Sequence, residues 1–345
     1  MKKTFSTLTP LAGAITTAAA LTFSSAATAN TVTLRVADWM PETHHIAGIG
    51  GKAFMDKAVE LSNGRIKFNY FPAEQLGKAK DSLQIAQTGI ADIVNIAPAC
   101  ITERFPLSGV AELPGIYEGA CNGTHALEML TSPGNSLYEH EFKPNGVRVL
   151  FTAAIGAYRV MTANKEVNTL DDFKGLKLRT AGGPMDQTAA SLGAVSIRMA
   201  GPDVLVSLSR GTLDGVFWPI QSVQPWGLQN DLKHWVSNVG VGSFVAYYAI
   251  SEKKWRQLPA DIQQILQEAG TYASKFHCEY VDNNEEKEIE ALKGLGIQPT
   301  ALSDADAQAV QQGYADIYQS WADGLEKRRR PGHTILKDFQ AAVNQ

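Results

Sequence analysis

Leu170-Asp171-Asp172-Phe173-Lys174-Gly175-Leu176-Lys177-Leu178-Arg179, running on to Gly211-Thr212-Leu213-Asp214-Gly215, is the stretch from which the rest of the chain is read. Leu176 and Leu178 alternate with Lys177 and Arg179, the period of a short half-buried strand, and Gly182-Gly183-Pro184 breaks it. Arg179 therefore stands at the carboxyl end of a strand. Pro184 suits the first turn of a helix whose apolar face is Met185, Ala189 and Leu192, before Gly193 ends it. Asp203 can cap a second helix, Val204 to Arg210, and Leu213 to Phe217 forms another strand with Trp218-Pro219 at its end. A strand, helix, helix, strand unit of this kind puts a cation and an aromatic at neighbouring strand ends, where open α/β sheets bind ligands.

Outward from this unit, the amino terminus carries Lys2 and Lys3, an apolar Ala/Thr-rich run from about Leu8 to Phe23, and small residues Ala27-Thr28-Ala29. That pattern predicts a secretory signal peptide over residues 1–29, cut after Ala29, and a periplasmic location. Its removal would leave 316 residues and shift the net charge from −4 to −6. A chain of that size exceeds what one core usually fills, so two domains are expected. The acidic balance speaks against nucleic acid or an anionic membrane as a partner. No later stretch approaches the roughly 20 apolar residues of a membrane span, so the exported chain is expected to be a soluble monomer.

Strands are predicted at Val32–Ala37, Arg65–Phe71, Ile90–Ile96 and Phe244–Ile250, with helices at Ile46–Leu61 and Lys78–Thr88. A further unit begins near Val147, and alternation of this kind implies parallel βαβ units. The domains are expected to comprise 30–155 plus 246–280 and 156–245 plus 281–345, with paired crossings near Ala153–Gly156 and Val241–Tyr247. Apolar residues at spacings of three and four predict a helix over Asp261–Lys293, roughly 50 Å long, with a break near Asp282-Asn283-Asn284 as the alternative. A last helix is expected over Ala305–Leu325, its closing Lys327-Arg328-Arg329-Arg330 favouring the negative end of the helix dipole. Three cysteines leave an odd one. Cys100 and Cys121, enclosing a 20-residue loop, are the candidate disulfide, with two buried free thiols as the alternative and Cys278 as inert core.

The order Phe173 to Arg179, Leu192-Gly193-Ala194, Met199 and Gly211 to Gly215 resembles the substrate-binding proteins of tripartite ATP-independent periplasmic (TRAP) transporters. Ser62 to Ile66, Phe71 to Gly77 and Leu113-Pro114 resemble the amino-terminal half of that family. The resemblance implies an α/β, two-domain periplasmic binding protein fold, with a long strut helix crossing both domains and a ligand cleft between them. It implies capture of an organic monocarboxylate by domain closure, and delivery to small and large membrane permease subunits of an ion-driven transporter.

In the family, the arginine closing the Lys-Gly-Leu-Lys-Leu-Arg motif binds the ligand carboxylate, so the resemblance gives that role to Arg179 and a supporting one to Arg159. A planar guanidinium meets a carboxylate with two parallel hydrogen bonds. Where sialic-acid-binding members have polar groups, this chain has Trp218, Phe244, Ala97 and Cys100, and Trp39 ends the first strand beside the same cleft. These departures point to an aromatic or apolar-bodied acid. A small 2-oxo or hydroxy acid, a dicarboxylate, or a sensor subunit of a signalling system are the alternatives. An enzyme is not expected: the chain lacks Gly-x-Ser-x-Gly, Gly-x-Gly-x-x-Gly, Walker and Ser-x-x-Lys motifs, and no catalytic residue, cofactor or metal is assigned. Adjacent His44 and His45 lack the i, i+4 spacing of a helical metal pair, and the histidines are read as structural.

Overall fold

The computed structural model describes residues 1–4 and 31–345; the apolar run and cleavage point of the expected signal peptide lie outside the described residues. In chain order the strands are β1 (Val32–Ala37), β2 (Ile66–Phe71), β3 (Ile93–Ile96), β4 (Val147–Ile155), β5 (Arg159–Thr162), β6 (Lys177–Thr180), β7 (Val195–Arg198), β8 (Gly215–Trp218), β9 (His234–Val236), β10 (Phe244–Ser251) and β11 (Gln298–Thr300). The helices are α1 (Lys52–Leu61), α2 (Ser82–Thr88), α3 (Ala120–Thr131), α4 (Pro184–Ser191), α5 (Val204–Ser209), α6 (Glu252–Trp255), α7 (Ala260–Gly294), α8 (Asp304–Gln312), α9 (Tyr314–Glu326) and α10 (Gly332–Val343).

Two sheets organise the molecule into two lobes. The first has order β2-β1-β3-β10-β4 and the second β11-β9-β5-β8-β6-β7. Parallel pairing holds for β1 with β2 and β3, and for β6 with β7 and β8. The expectation of parallel units alone is corrected by β10 and β5, which pair antiparallel to their neighbours. These strands belong to the segments where the chain passes between sheets, and a returning chain must run against the strand it left. At the crossing the Tyr158 amide donates to the Gly242 carbonyl (2.8 Å) and the Val241 amide to the Tyr158 carbonyl (2.9 Å), tying the two connections together. Strand β7 lies between the two helices expected to follow one another. Its Val195 and Ile197 do alternate, but it is a four-residue edge strand with Val195 exposed, so little burial marks it in the sequence.

The predicted helix Ile46–Leu61 begins with a wider-than-α turn over Ile46–Gly51 before α1. Gly50 and Gly51 let that turn press on the first sheet, where a Cβ would collide with Phe151 and with the Tyr248 ring. Helix α7 is unbroken over 35 residues, about 50 Å, so the two-helix alternative is ruled out. Asp282, at the suspected break, faces outward from an intact helix and caps α3, accepting from the Ala120 (2.7 Å) and Cys121 (3.0 Å) amides. Its side chains Ile262 to Val281 bury in the large cluster shared with β1, β4 and β10, while Leu292 joins the second-lobe core.

The disulfide is Cys121–Cys278, with Cα atoms 4.8 Å apart, and Cys100 is free. The expected Cys100–Cys121 pair and the inert Cys278 are corrected, because α3 lies against α7 while Cys100 sits in the turn after β3. The expected helix Ala305–Leu325 is divided at Gly313 into α8 and α9, and α10 follows. Ile335, Phe339 and Ala342 of α10, with Trp321 and Leu325 of α9, bury beside Val94 and Tyr247. Helices α9 and α10 thus pack into the first lobe's core, while Ala307 and Val310 of α8 join the large cluster that includes Val239 and Val241. Arg328 donates to the Gly324 carbonyl (3.2 Å) at the end of α9, and the basic run is otherwise solvated.

Candidate functional site

Arg179 is 3 % exposed at the end of β6. Its Nε donates to the Met199 carbonyl (2.9 Å), a terminal nitrogen reaches the Phe217 carbonyl (3.4 Å), and the guanidinium lies 4.6 Å from the Trp218 ring centroid. The Tyr158 hydroxyl lies within electrostatic reach of this group, and burial lowers the arginine's pKa. Among the described residues it forms no ion pair with a carboxylate. Five N–H donors are thus only partly used, and a buried unpaired cation is costly. The neighbouring Cys100 thiol is pushed up to about 11 by burial, so it adds no charge near the guanidinium.

A run of aromatic rings leads away from this cation. Tyr158 stacks on Phe244 at 6.2 Å, Phe244 meets Trp39 edge-on at 6.4 Å, Trp39 stacks on Trp226 at 6.2 Å, and Trp226 meets Trp218 edge-on at 6.4 Å. Trp39 is held in place by the residue before it. The buried Asp38 carboxylate accepts from the Tyr248 hydroxyl, the Tyr70 hydroxyl (3.2 Å), the Asn95 amide (2.8 Å) and the Met40 backbone (2.9 Å). A cavity of about 570 Å³ has walls that include Cys100 and Arg104 from the first lobe and Ala181, Arg198 and Met199 from the second, Met199 being the residue whose carbonyl takes the Arg179 Nε.

Behind Trp226 three buried histidines form a chain between the lobes. His44 Nε2 lies 2.9 Å from Ser222 Oγ, His45 Nε2 lies 3.3 Å from the same oxygen, and His45 Nδ1 lies 2.9 Å from His277 Nε2. His44 Nδ1 accepts from the Ile46 amide (3.2 Å), so Nε2 carries its proton and donates to Ser222. The serine then donates to His45, and His45 donates to His277. All three imidazoles are neutral in this chain, and burial drives each pKa down, that of His45 to about 3. Among the described residues no cluster of three or more His, Cys, Asp or Glu is arranged to hold a metal.

The profile of the family described as "Bacterial extracellular solute-binding protein, family 7" matches residues 38–324. The chain belongs to this family, the solute-binding proteins of TRAP transporters. It is 27 % identical to the sialic acid-binding periplasmic protein SiaP of Vibrio cholerae over 317 residues, 90 % of this chain and 94 % of that one. Among solved structures it resembles a TRAP solute-binding protein from Rhodoferax ferrireducens in complex with copurified benzoate, with a TM-score of 0.82 at 23 % identity over 91 % of this chain and 98 % of that one. A Bordetella bronchiseptica TRAP periplasmic solute-binding protein with bound (R)- and (S)-mandelate gives a TM-score of 0.82 at 25 % identity, covering 91 % and 99 %. The family serves transport, not catalysis.

Against this solute-binding frame, the structure brings Arg179, Trp218, Phe244, Trp39 and Cys100 to one inter-lobe region, and Ala97 is buried at the end of β3 where the turn to Cys100 starts. Arg159 sits opposite Trp218 in the β5–β8 register and so shares a sheet face with it. The charges acting on Arg159 come from Glu285 and Tyr314, and its Nε has no partner. Tyr158 and Trp226 were missed. Tyr158 immediately precedes Arg159 in Gly156-Ala157-Tyr158-Arg159, and Trp226 in Gln224-Pro225-Trp226-Gly227 is a lone loop aromatic with no periodic partner.

Proposed function

We propose that this TRAP solute-binding protein captures an aromatic or apolar-bodied organic monocarboxylate. The observation that carries the reading is a buried arginine without a carboxylate partner, set against Trp218 and Tyr158 with Phe244, Trp39 and Trp226 around them. A carboxylate would take the free guanidinium donors in a two-pronged bond, and an aromatic body would lie against the rings. Arg159, on the same sheet face as Trp218, is the second anchor. That two structural relatives carry benzoate and mandelate supports this ligand class. Closure of the two lobes would remove the acid from water, and requires that the ligand bind the closed form better than the open one. The loaded protein, exported to the periplasm after cleavage at Ala29, would dock as a monomer on an ion-driven permease.

A thermal-shift screen against matched aromatic and aliphatic acids tests the assignment. A ligand at one hundred times its Kd adds about 2.7 kcal/mol of stability. Shifts from aliphatic dicarboxylates or polyhydroxylated acids, with none from aromatic acids, would overturn it.

A further inference from the structure

One acidic side chain in the seam between the lobes has no role in the reading so far. Glu112 ends a short helical turn, Ser108–Glu112, in the first lobe, and is fully buried, yet neither carboxyl oxygen has a hydrogen-bond partner. Its carboxyl faces the Gly182-Gly183 turn of the second lobe, where a Cβ on Gly183 would stand 3.2 Å from Oε2 and 3.6 Å from the Thr102 methyl. That turn begins three residues after Arg179. The same turn meets the segment that carries Cys100, since a Cβ on Gly182 would stand 2.9 Å from the Ala99 carbonyl oxygen, which places the acid in the seam between Cys100 and the end of β6. The charged groups around it are Arg198 on β7, Asp186 on α4 and Glu141 in the turn before β4.

A buried polar group without a partner is rare and costly, and beside a ligand cleft the missing partner is most simply a ligand group. Burial pushes Glu112 up to about 8, offset in part by the Ala99 amide, which approaches without reaching hydrogen-bond geometry, and by Arg198, so burial favours the uncharged carboxylic acid near neutral pH. Such a group donates one hydrogen bond and accepts another, which matches an alcohol or phenol; an ammonium would call for a carboxylate instead. We propose that Glu112 reads a hydroxyl on the body of the bound acid, so that the preferred solute is a hydroxylated aromatic monocarboxylate. This rests on the aromatic-acid reading above and adds the position of a second polar contact.

The test is calorimetric titration of the purified protein with two matched pairs, 3-hydroxybenzoate against benzoate and mandelate against phenylacetate. The wild type should bind the hydroxylated member of at least one pair about ten-fold or more tightly. Glu112→Met should bring that ratio close to one, while affinity for the deoxy member stays within about three-fold. Glu112→Gln, which can still donate and accept, should retain part of the ratio. Should the Met variant fail to fold, infrared difference spectra of the wild type decide. The protonated-carboxyl C=O band should shift with the hydroxylated probe and not with its deoxy partner, and this band should be absent from Glu112→Gln. A ratio near one in both wild-type pairs, a ratio unchanged in Glu112→Met, or no band shift overturns the proposal and leaves the aromatic-acid reading standing. Failure of all four probes to bind overturns both.

Discussion

The guanidinium of Arg179 lies 4.6 Å from the ring centroid of Trp218, although the two residues come from different strands, β6 and β8. Arg179 pairs in register with Val216, two residues before Trp218, so both side chains emerge on one face of the second sheet. The ring covers one face of the cation, and the Met199 and Phe217 carbonyls fix its edge. This geometry rests on a planar fork, so Arg179→Lys keeps the charge and loses the arrangement. Loss of a charge-assisted pair costs about 1.5–3 kcal/mol, or roughly ten-fold to more than a hundred-fold in Kd. Calorimetric affinity unchanged in a folded Arg179→Lys protein would remove the clamp assignment.

Trp218→Ala should discriminate between ligand bodies. Ring–ring geometry adds about 0.5–1.5 kcal/mol beyond buried area, so an aromatic acid should bind ten-fold or more weakly. A short aliphatic acid held through its carboxylate should lose much less. Equal losses for both acids would mean that Trp218 only packs between Trp226 and Arg179.

The Cys121–Cys278 bridge joins residues 157 apart. Closing a loop of that length stabilises by about 5 kcal/mol in the chain-entropy model. Mass spectrometry of protein alkylated without reductant should find Cys100 as the single labelled cysteine, and Cys121→Ser should lower the urea midpoint by a corresponding margin. Labelling of all three cysteines would contradict the bridge.

Acid should weaken the fold through the histidine chain. The folded-state pKa values of His44, His45 and His277 lie below the unfolded value of 6.5, so between the two the unfolded chain binds more protons. The contribution is fully present above about pH 6.5 and is lost as pH falls toward the folded values, by up to about 1.4 kcal/mol per pH unit for each histidine. Over the same range Glu112, Glu141 and Glu128, raised by burial, act with the opposite sign, so the test is the difference between wild type and His277→Phe in urea unfolding at pH 7 and pH 5. The variant should lower the slope of stability against pH by about one proton, and an unchanged slope would mean that His277 is not held neutral.

Local pattern in the sequence carried a good part of this protein. The alternation of Leu176 and Leu178 placed Arg179 at a strand end, and the three-and-four spacing from Ile262 to Leu292 yielded the single strut α7. Both signals come from side chains whose burial depends on their own segment's period, so neighbours along the chain suffice to read them. Tertiary structure decided what depended on segments meeting across the fold. Cys121 meets Cys278 because α3 lies on α7, and α10 joins the first lobe's core, its Phe339 ring 6.3 Å from that of Tyr117. Tyr158 and Trp226 become part of the aromatic wall only once the paired crossings bring Phe244 and Trp39 against them. Glu112 in sequence is one acid before Leu113-Pro114. Only the fold, by packing its turn against Gly183 of the other lobe, removes both carboxyl oxygens from water and leaves them without a partner.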